Sequence, residues 1–379
     1  MVVALVGILL IASALLDAFE TVVLPRRVSR RLRLGYVFYA LTWQPYGAVA
    51  LWIKNGRRRE TFLSFYGPLS LLLLVSLWAV TLILGFATLH WVVGSPLSAP
   101  GGQPDFLTSA YYSGTTFFTL GLGDVVPVSG FDRFLTVVEA GTGFAFLALL
   151  IGYVPIVYQM FARRETYVSL LDQRAGSPPS AAELVRRNVV AGDMTELTAL
   201  LREWETWVGD LLESQLSYPA LAYFRSQHEN QSWVTALAVI LDVSSYLLAC
   251  GTTPAERQAA FTFAVGRHAV GDLTGIFRLE PRIPAEDRLT PGAVQTLWEA
   301  ARSRGVLTME YAAATERLQA IRSVYEPYLQ ALSAYLLMDL PPWVPSAGAS
   351  DNWETTATDF RSPVPLLGPN SPYARDAEH

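Results

Sequence analysis

The sequence predicts an all-α membrane protein, with a membrane-embedded first half and a soluble helical domain after it. Three observations predict this. Met1 to Leu24, Thr61 to Val93 and Phe131 to Phe161 are each apolar and long enough to span, since about 20 helical residues cross ~30 Å of hydrocarbon. Charged residues are 16% and hydrophobic ones 51%, against roughly 25% charged in soluble domains. After Arg164 the long apolar runs stop and helix-start signals take over.

The first span carries Asp17 and Glu20. At 1.5 Å per residue Asp17 lies about 24 Å along the helix, near its end. The two acids either sit at the headgroups and pair with Arg26 or Arg27, or grip a neighbouring helix. The block Arg26, Arg27, Arg30, Arg31 and Arg33 follows. Three of these recur at every third position, but Arg26 and Arg31 break the apolar spacing of a voltage sensor, so the block reads as a juxtamembrane anchor. Gly35 to Ile53 is interrupted by Pro45 and Gln44 and carries Tyr36, Tyr39, Trp43, Tyr46 and Trp52. Rings of that kind suit the headgroup layer, and the segment is expected to be an interfacial or re-entrant helix. A second basic block, Lys54 and Arg57 to Arg59, precedes the second span.

Asp105 to Phe118 reads as a short amphipathic helix with an acid at its N-terminus. It leads into Thr119-Leu120-Gly121-Leu122-Gly123-Asp124. Alternating glycines permit backbone angles that other residues resist, so neighbouring carbonyls can point one way. Four such loops around an axis would stack rings of oxygens able to replace the water shell of a cation. The third span then begins near Phe131 and closes on Arg163 and Arg164.

Helix, Gly-rich loop and apolar span in this order resemble the pore region of tetrameric potassium channels. The likeness runs without gaps from Tyr111 to Arg133 (YYSGTTFFTLGLGDVVPVSGFDR) and loosely to Glu165. It implies a potassium-selective channel, a homotetramer conducting passively, with a pore module of outer helix, pore helix, filter loop and inner helix. Thr119, Leu120, Gly121 and Leu122 would coordinate K+, Gly123 would complete the filter, and Asp124 would stand at the outer mouth. Leu120 and Leu122 replace the usual Val and Tyr; leucine at the second site is familiar from two-pore-domain potassium channels. Thr115 stands where some members carry a glutamate that pairs with the last Asp, which leaves Asp124 without that partner. A weakly selective cation channel, or a membrane-anchored sensor with a non-conducting pore fold, are the alternatives.

By ungapped extension Gly143 falls at the family's hinge glycine, and either bends the helix or lets helices pack closely. Pro155 removes a backbone hydrogen bond and invites a kink. Glu139 either faces the cavity or hydrogen-bonds behind the filter. The family's helix directions, with the positive-inside rule, imply a multi-pass cell-membrane protein with Met1 outside and the C-terminal domain in the cytoplasm.

The expected domains are residues 1–60 (first span and basic interfacial segment), 61–164 (pore module), 165–340 (helical domain) and 341–379 (a Pro-, Ser- and Asn-rich disordered tail). In 165–340 the expected helices are Ala181–Asn188, Met194–Leu216, Tyr218–Cys250, Pro254–Val270, Pro291–Arg304 and Val306–Leu340, the last broken at Pro327. Ser180 with Glu183, and Thr253 with Glu256, have capping-box spacing; Thr290-Pro291 starts another helix. Trp204, Trp207, Trp233 and Trp298 are expected in the core. The single Cys250 excludes an intrachain disulfide and a cysteine metal cluster. Four scattered histidines and no G-x-G-x-x-G after a strand argue against an enzyme and a dinucleotide cofactor. His228-Glu229 lacks the second histidine of a zinc protease. The net charge of -5 points away from nucleic acid. The expected partners are K+, membrane lipid and further copies of the chain, with assembly or an unknown regulatory ligand as the role of 165–340.

Overall fold

The computed structural model describes residues 1–24, 34–92, 97–99, 105–227, 231–251, 253–284 and 286–345. The arginines from 26 to 33, His228-Glu229 and the tail beyond 345 lie outside these residues, as do the expectations placed on them. The described chain is helical: α1 Val2–Val22, α2 Leu34–Trp52, α3 Gly56–Val92, α4 Phe106–Phe117, α5 Gly130–Ala175, α6 Ala181–Asn188 and α7 Thr195–Ser217. A 3-10 turn at Pro219–Tyr223 precedes α8 Trp233–Ala249, α9 Glu256–Ile276, α10 Pro291–Ser303, α11 Tyr311–Arg322 and α12 Glu326–Leu336. Only α1, α3 and α5 among them are long and apolar enough to cross a membrane. The contacts form two units, residues 1–161 with 216–224, and residues 162–215 with those after 224.

In the first unit α1 runs antiparallel to the second half of α3. Gly7 abuts the Gly85 carbonyl, where a methyl group on Gly7 would come within 2.9 Å. Small residues admit that approach. Further along, the buried Asp17 accepts from Trp78 Nε1 (2.8 Å) and from the Gly35 backbone N–H (2.9 Å). The helix-gripping reading of Asp17 is seen here, while its pairing with Arg26 or Arg27 lies outside the described residues. The carboxylate holds the α3 indole and also answers one of the orphan N–H groups at the start of α2.

From that point α2 follows the first half of α3, also antiparallel. Thr42 Oγ1 lies 2.8 Å from Tyr66 Oη, and the Tyr46 hydroxyl donates to the Phe62 carbonyl at 2.7 Å. Tyr39, Trp43 and Tyr66 each pack within 5.3 Å of the Tyr223 ring. The turn that carries Tyr223 thus belongs with α2 and α3, although its sequence position is in the expected 165–340 domain. The adjacent Phe224 packs on Gly67, Leu71, Tyr153 and Val157.

The second unit is built around α8, whose residues are buried on every face. A helix apolar all round belongs in the centre of a core. The expected helix Tyr218–Cys250 is therefore corrected: a 3-10 turn and irregular chain precede α8, which starts at a Ser232 cap donated to by Thr235 N–H. Ser180 and Thr290 cap α6 and α10 as expected. Thr253 does not cap; α9 begins after Ala255, with Pro254 in the turn before it. Glu183 does not reach back to Ser180, because it pairs with Arg186 and Arg187. Trp204, Trp207, Trp233 and Trp298 are all buried. The core also extends past 340: Trp343 is buried and its carbonyl accepts from Ala182 N–H, so 341–345 are part of the fold and not of the tail.

Arg288 ties this unit together. Its guanidinium contacts Asp242 (Nη1 to Oδ2, 3.0 Å) and Glu326 (Nη2 to Oε2, 2.6 Å), and donates to the Pro341 carbonyl at 2.8 Å. Burial raises the Glu326 carboxyl, yet Arg288 more than offsets it and the group sits below its ordinary range. Asp242 is deeper, and there burial prevails and pushes the carboxyl up. Removing one partner of a buried pair costs about 3–5 kcal/mol because the other charge is stranded. Arg288→Met should therefore lower the melting temperature of the detergent-solubilised protein by many degrees, as followed by circular dichroism. The depressed Glu326 contributes stability above its unfolded pKa of about 4.3, and that contribution is lost as pH falls through the lower folded value. Glu326→Gln should accordingly flatten the acid limb of the melting temperature plotted against pH.

Candidate functional site

The candidate site is α4 with the loop after it. Asp105 accepts the Thr108 N–H and hydroxyl at 2.8 and 2.7 Å, a cap worth about 1 kcal/mol. The helix ends at Phe117 because the chain then turns into left-handed angles at alternate residues. φ is +57° at Thr119, +56° at Gly121 and +79° at Gly123. Glycine takes such angles freely; Thr119 takes them at a cost of roughly 1–2 kcal/mol.

The first three donors of the loop turn back onto α4. Thr119 N–H donates to the Thr116 carbonyl at 3.0 Å, and Leu120 and Gly121 N–H to that of Thr115 at 2.7 and 3.4 Å. The carbonyls of Thr119 to Gly123 accept no hydrogen bond from the described residues. Leu120 and Leu122 are 63% and 64% exposed. Past the loop the chain is pinned by an antiparallel bridge between Ser98 and Val126 and by Val125 packed with Leu97 and Tyr112. With threonine at 115, Asp124 has a different partner: the Tyr111 hydroxyl donates to it at 2.9 Å.

Behind α4 lies a buried polar cluster. Glu139 of α5 hydrogen-bonds Ser113 of α4 and lies 3.2 Å from His90 Nε2 of α3. It is completely buried, so of its two expected directions it takes the one behind the loop. His90 Nδ1 lies 3.5 Å from Asp132 Oδ1, and the Tyr112 and Thr136 hydroxyls are 2.6 Å apart. Gly143 faces the Phe117 carbonyl so closely that a methyl group there would sit 2.0 Å from the oxygen. Close packing is thus a requirement at Gly143. Pro155 lies within α5, which continues to Ala175.

A cavity of about 410 Å³ adjoins the loop, lined by Ala79, Ile83, Phe118, Thr119 and Phe144 among others. Beside it α5 exposes Phe134, Val137, Phe144, Leu147 and Ile151. Among the described residues no cluster suits a resident metal ion. Sequence reasoning missed Tyr111, His90 and Asp132. The signal for the last was present, because Asp132 and Glu139 are seven residues apart and share a face of α5.

Gly143→Ala must push α4 and α5 apart to relieve that 2.0 Å contact. We expect a drop in melting temperature worth at least ~1–3 kcal/mol, the range for overpacking, measured on the purified protein in micelles.

Residues 71–159, from the middle of α3 through α4 and the loop into α5, match the family described as "Ion channel". The chain is similar to the uncharacterized membrane protein YdjJ of Bacillus subtilis (strain 168), 22% identical over 202 residues, covering 51% of this chain and 58% of that one. It is also similar to protein LctB of Geobacillus stearothermophilus, 36% identical over 84 residues, which cover 20% and 62% of the two chains. The chain thus spans less than two thirds of either relative. No solved structure matches. The matched region is of ion-channel type, not an enzyme domain, and it sits in a multi-span helical membrane protein.

Proposed function

We propose that the protein is a potassium-selective channel in which four copies surround one ion path. The observation that carries this reading is the polarity of the loop backbone: the N–H groups of Thr119, Leu120 and Gly121 are tied back to Thr116 and Thr115, while the carbonyls of Thr119 to Gly123 have no partner among the described residues. Irregular backbone is tolerated at membrane depth only inside protein or along a water-filled path. Unpartnered carbonyls facing such a path are ligands for a dehydrated cation. One chain supplies one such loop, so a closed ring needs several copies, and four is the number the resemblance implies. K+ would be held by Thr119, Leu120, Gly121 and Leu122, with Gly123 completing the filter and Asp124, oriented by Tyr111, at the outer mouth.

In this reading residues 61–164 form the pore module, α4 is the pore helix, α3 the outer helix and α5 the inner one. Pro155 is the place where α5 would bend in gating, while Gly143, packed on the Phe117 carbonyl, would keep α4 and α5 in contact. Lys54 to Arg59 then face the cytoplasm, Met1 lies outside, and residues 165–340 form a cytoplasmic domain. At 37 residues, or ~55 Å at 1.5 Å per residue, α3 is far longer than a bilayer is thick. Because α1 and α2 follow opposite halves of it, α2 is read as an interfacial helix and not as a fourth crossing. No cofactor is assigned.

A second reading, a channel that admits sodium as well, is favoured by one observation: Leu122 is largely exposed and offers no hydroxyl to brace the loop from behind.

Potassium flux into liposomes tests both. Gly121→Ala places a side chain at φ +56°, a strain of roughly 1–2 kcal/mol per chain, and should abolish flux. If sodium flux accompanies potassium flux in the native protein, the weakly selective reading holds, and Leu122→Tyr should suppress the sodium component. Flux that survives Gly121→Ala unchanged would sink the channel assignment.

A further inference from the structure

The cluster behind α4 holds more charge than packing requires. His90 comes from the last turn of α3, and Asp132 and Glu139 from the beginning of α5; the side chains of all three are fully shielded from solvent. Each imidazole nitrogen faces its own carboxylate, Nδ1 toward Asp132 at 3.5 Å and Nε2 toward Glu139 at 3.2 Å. From α4, Tyr112 presents its ring edge-on with the centroids 5.2 Å apart, and Ser113 hydrogen-bonds Glu139. Arg133 turns away and donates to the Pro127 carbonyl at 3.4 Å, so it does not neutralise either acid. Asp132 Oδ2 is already engaged by Ser129 at 2.8 Å, whereas Asp132 Oδ1 and His90 Nδ1 have no hydrogen bond.

A neutral imidazole carries one N–H for its two nitrogens, and only the charged ring donates from both. With a carboxylate at each nitrogen, the charged ring satisfies both acids. With both carboxyls ionised, the neutral ring strands one of them, buried and facing a lone pair, which burial makes expensive. Glu139 is also the side chain through which α5 holds Ser113, one turn before the Thr115 and Thr116 carbonyls that anchor the loop.

We propose that His90 is a proton-operated latch: charged, it pairs with Asp132 and Glu139 and clamps α4 between α3 and α5; on losing its proton it releases α4 and loosens residues 118–124. The clamp itself is independent of what the loop does, but its consequence for conduction rests on the channel reading. The sign follows from the pairing, with the latch closed while His90 is protonated and opening as pH rises.

Hydrogen exchange of peptides covering residues 106–124 tests the clamp on the full chain in liposomes, at about pH 5.5 and about pH 8. Comparing native protein with His90→Gln at the same pH cancels the intrinsic exchange chemistry. The native helix should exchange several-fold more slowly than the variant at the lower pH, and equally at the higher. A ratio that does not change with pH overturns the proposal. Should His90→Gln fail to fold, Asp132→Asn, which leaves the ring one acid, should shrink the pH effect; an undiminished effect overturns the proposal equally. Potassium flux from the same preparations should differ several-fold between the two pH values in the native protein only. Flux that ignores pH while exchange responds supports the clamp and overturns its consequence for conduction. No flux at either pH, with pH-dependent exchange, supports the clamp and defeats the channel reading.

Discussion

A carbonyl oxygen without a hydrogen-bond donor cannot rest in an apolar medium; it costs several kcal/mol unless water or a cation meets it. The loop from Thr119 to Gly123 ties its first three N–H groups to the end of α4 and leaves its carbonyls unmet by the described chain. Much of the first unit can be understood as what is needed to hold that unfavourable backbone still. Asp105 caps α4 at its start, Val125 and the Ser98–Val126 bridge fix the far end of the loop, and Tyr111 orients Asp124. Strain at Thr119 persists only because these contacts over-determine it.

Holding α4 from behind requires polar groups in a place where polar groups are costly, and the protein resolves this by pairing them across helices. Asp17 does so between α1, α2 and α3, where it meets an indole and a helix N-terminus. Glu139 and Asp132 do so around His90. The two sites differ in kind. Asp17 is met by N–H donors from Trp78 and Gly35 that carry no titratable proton, so this contact does not depend on a histidine's charge. The His90 cluster needs a mobile proton to be satisfied, which is why it and not Asp17 is the candidate for regulation.

What the sequence made legible follows from how local each signal is. The spans and α4 were readable because twenty apolar residues, or an acid before an amphipathic turn, are properties of one segment. The loop was readable because left-handed angles leave their mark as glycines at alternate positions; Thr119, which adopts one without being glycine, left no such mark. The break before α8 was missed although the sequence marks it, because the expected helix was drawn across Pro219 and the polar run from Arg225 to Ser232 on the strength of the apolar residues either side. Thr253 was misread as a cap because its spacing was right while Pro254 diverted the chain. The His90–Asp132 pairing depends on α3 and α5 meeting behind α4, a long-range fact that no window of sequence contains. Trp343 was lost for the opposite reason, since a Pro-rich surrounding masked one buried indole.

Exposed apolar surface alone would not decide whether this chain acts as a single copy. Phe134, Val137, Phe144, Leu147 and Ile151 are uncovered, but lipid tails cover leucine and phenylalanine as well as another helix does. The loop is different. Lipid offers no donor and no cation to the carbonyls of Thr119 to Gly123, so a single copy with its loop against acyl chains would carry the full cost of five unmet acceptors. Several copies arranged around an axis remove that cost, because the carbonyls then face water and ions along the axis while the apolar stripe of α5 packs on a neighbour or on lipid. In the proposed channel the reason to assemble therefore lies in the backbone of five residues, and the hydrophobic stripe only permits it.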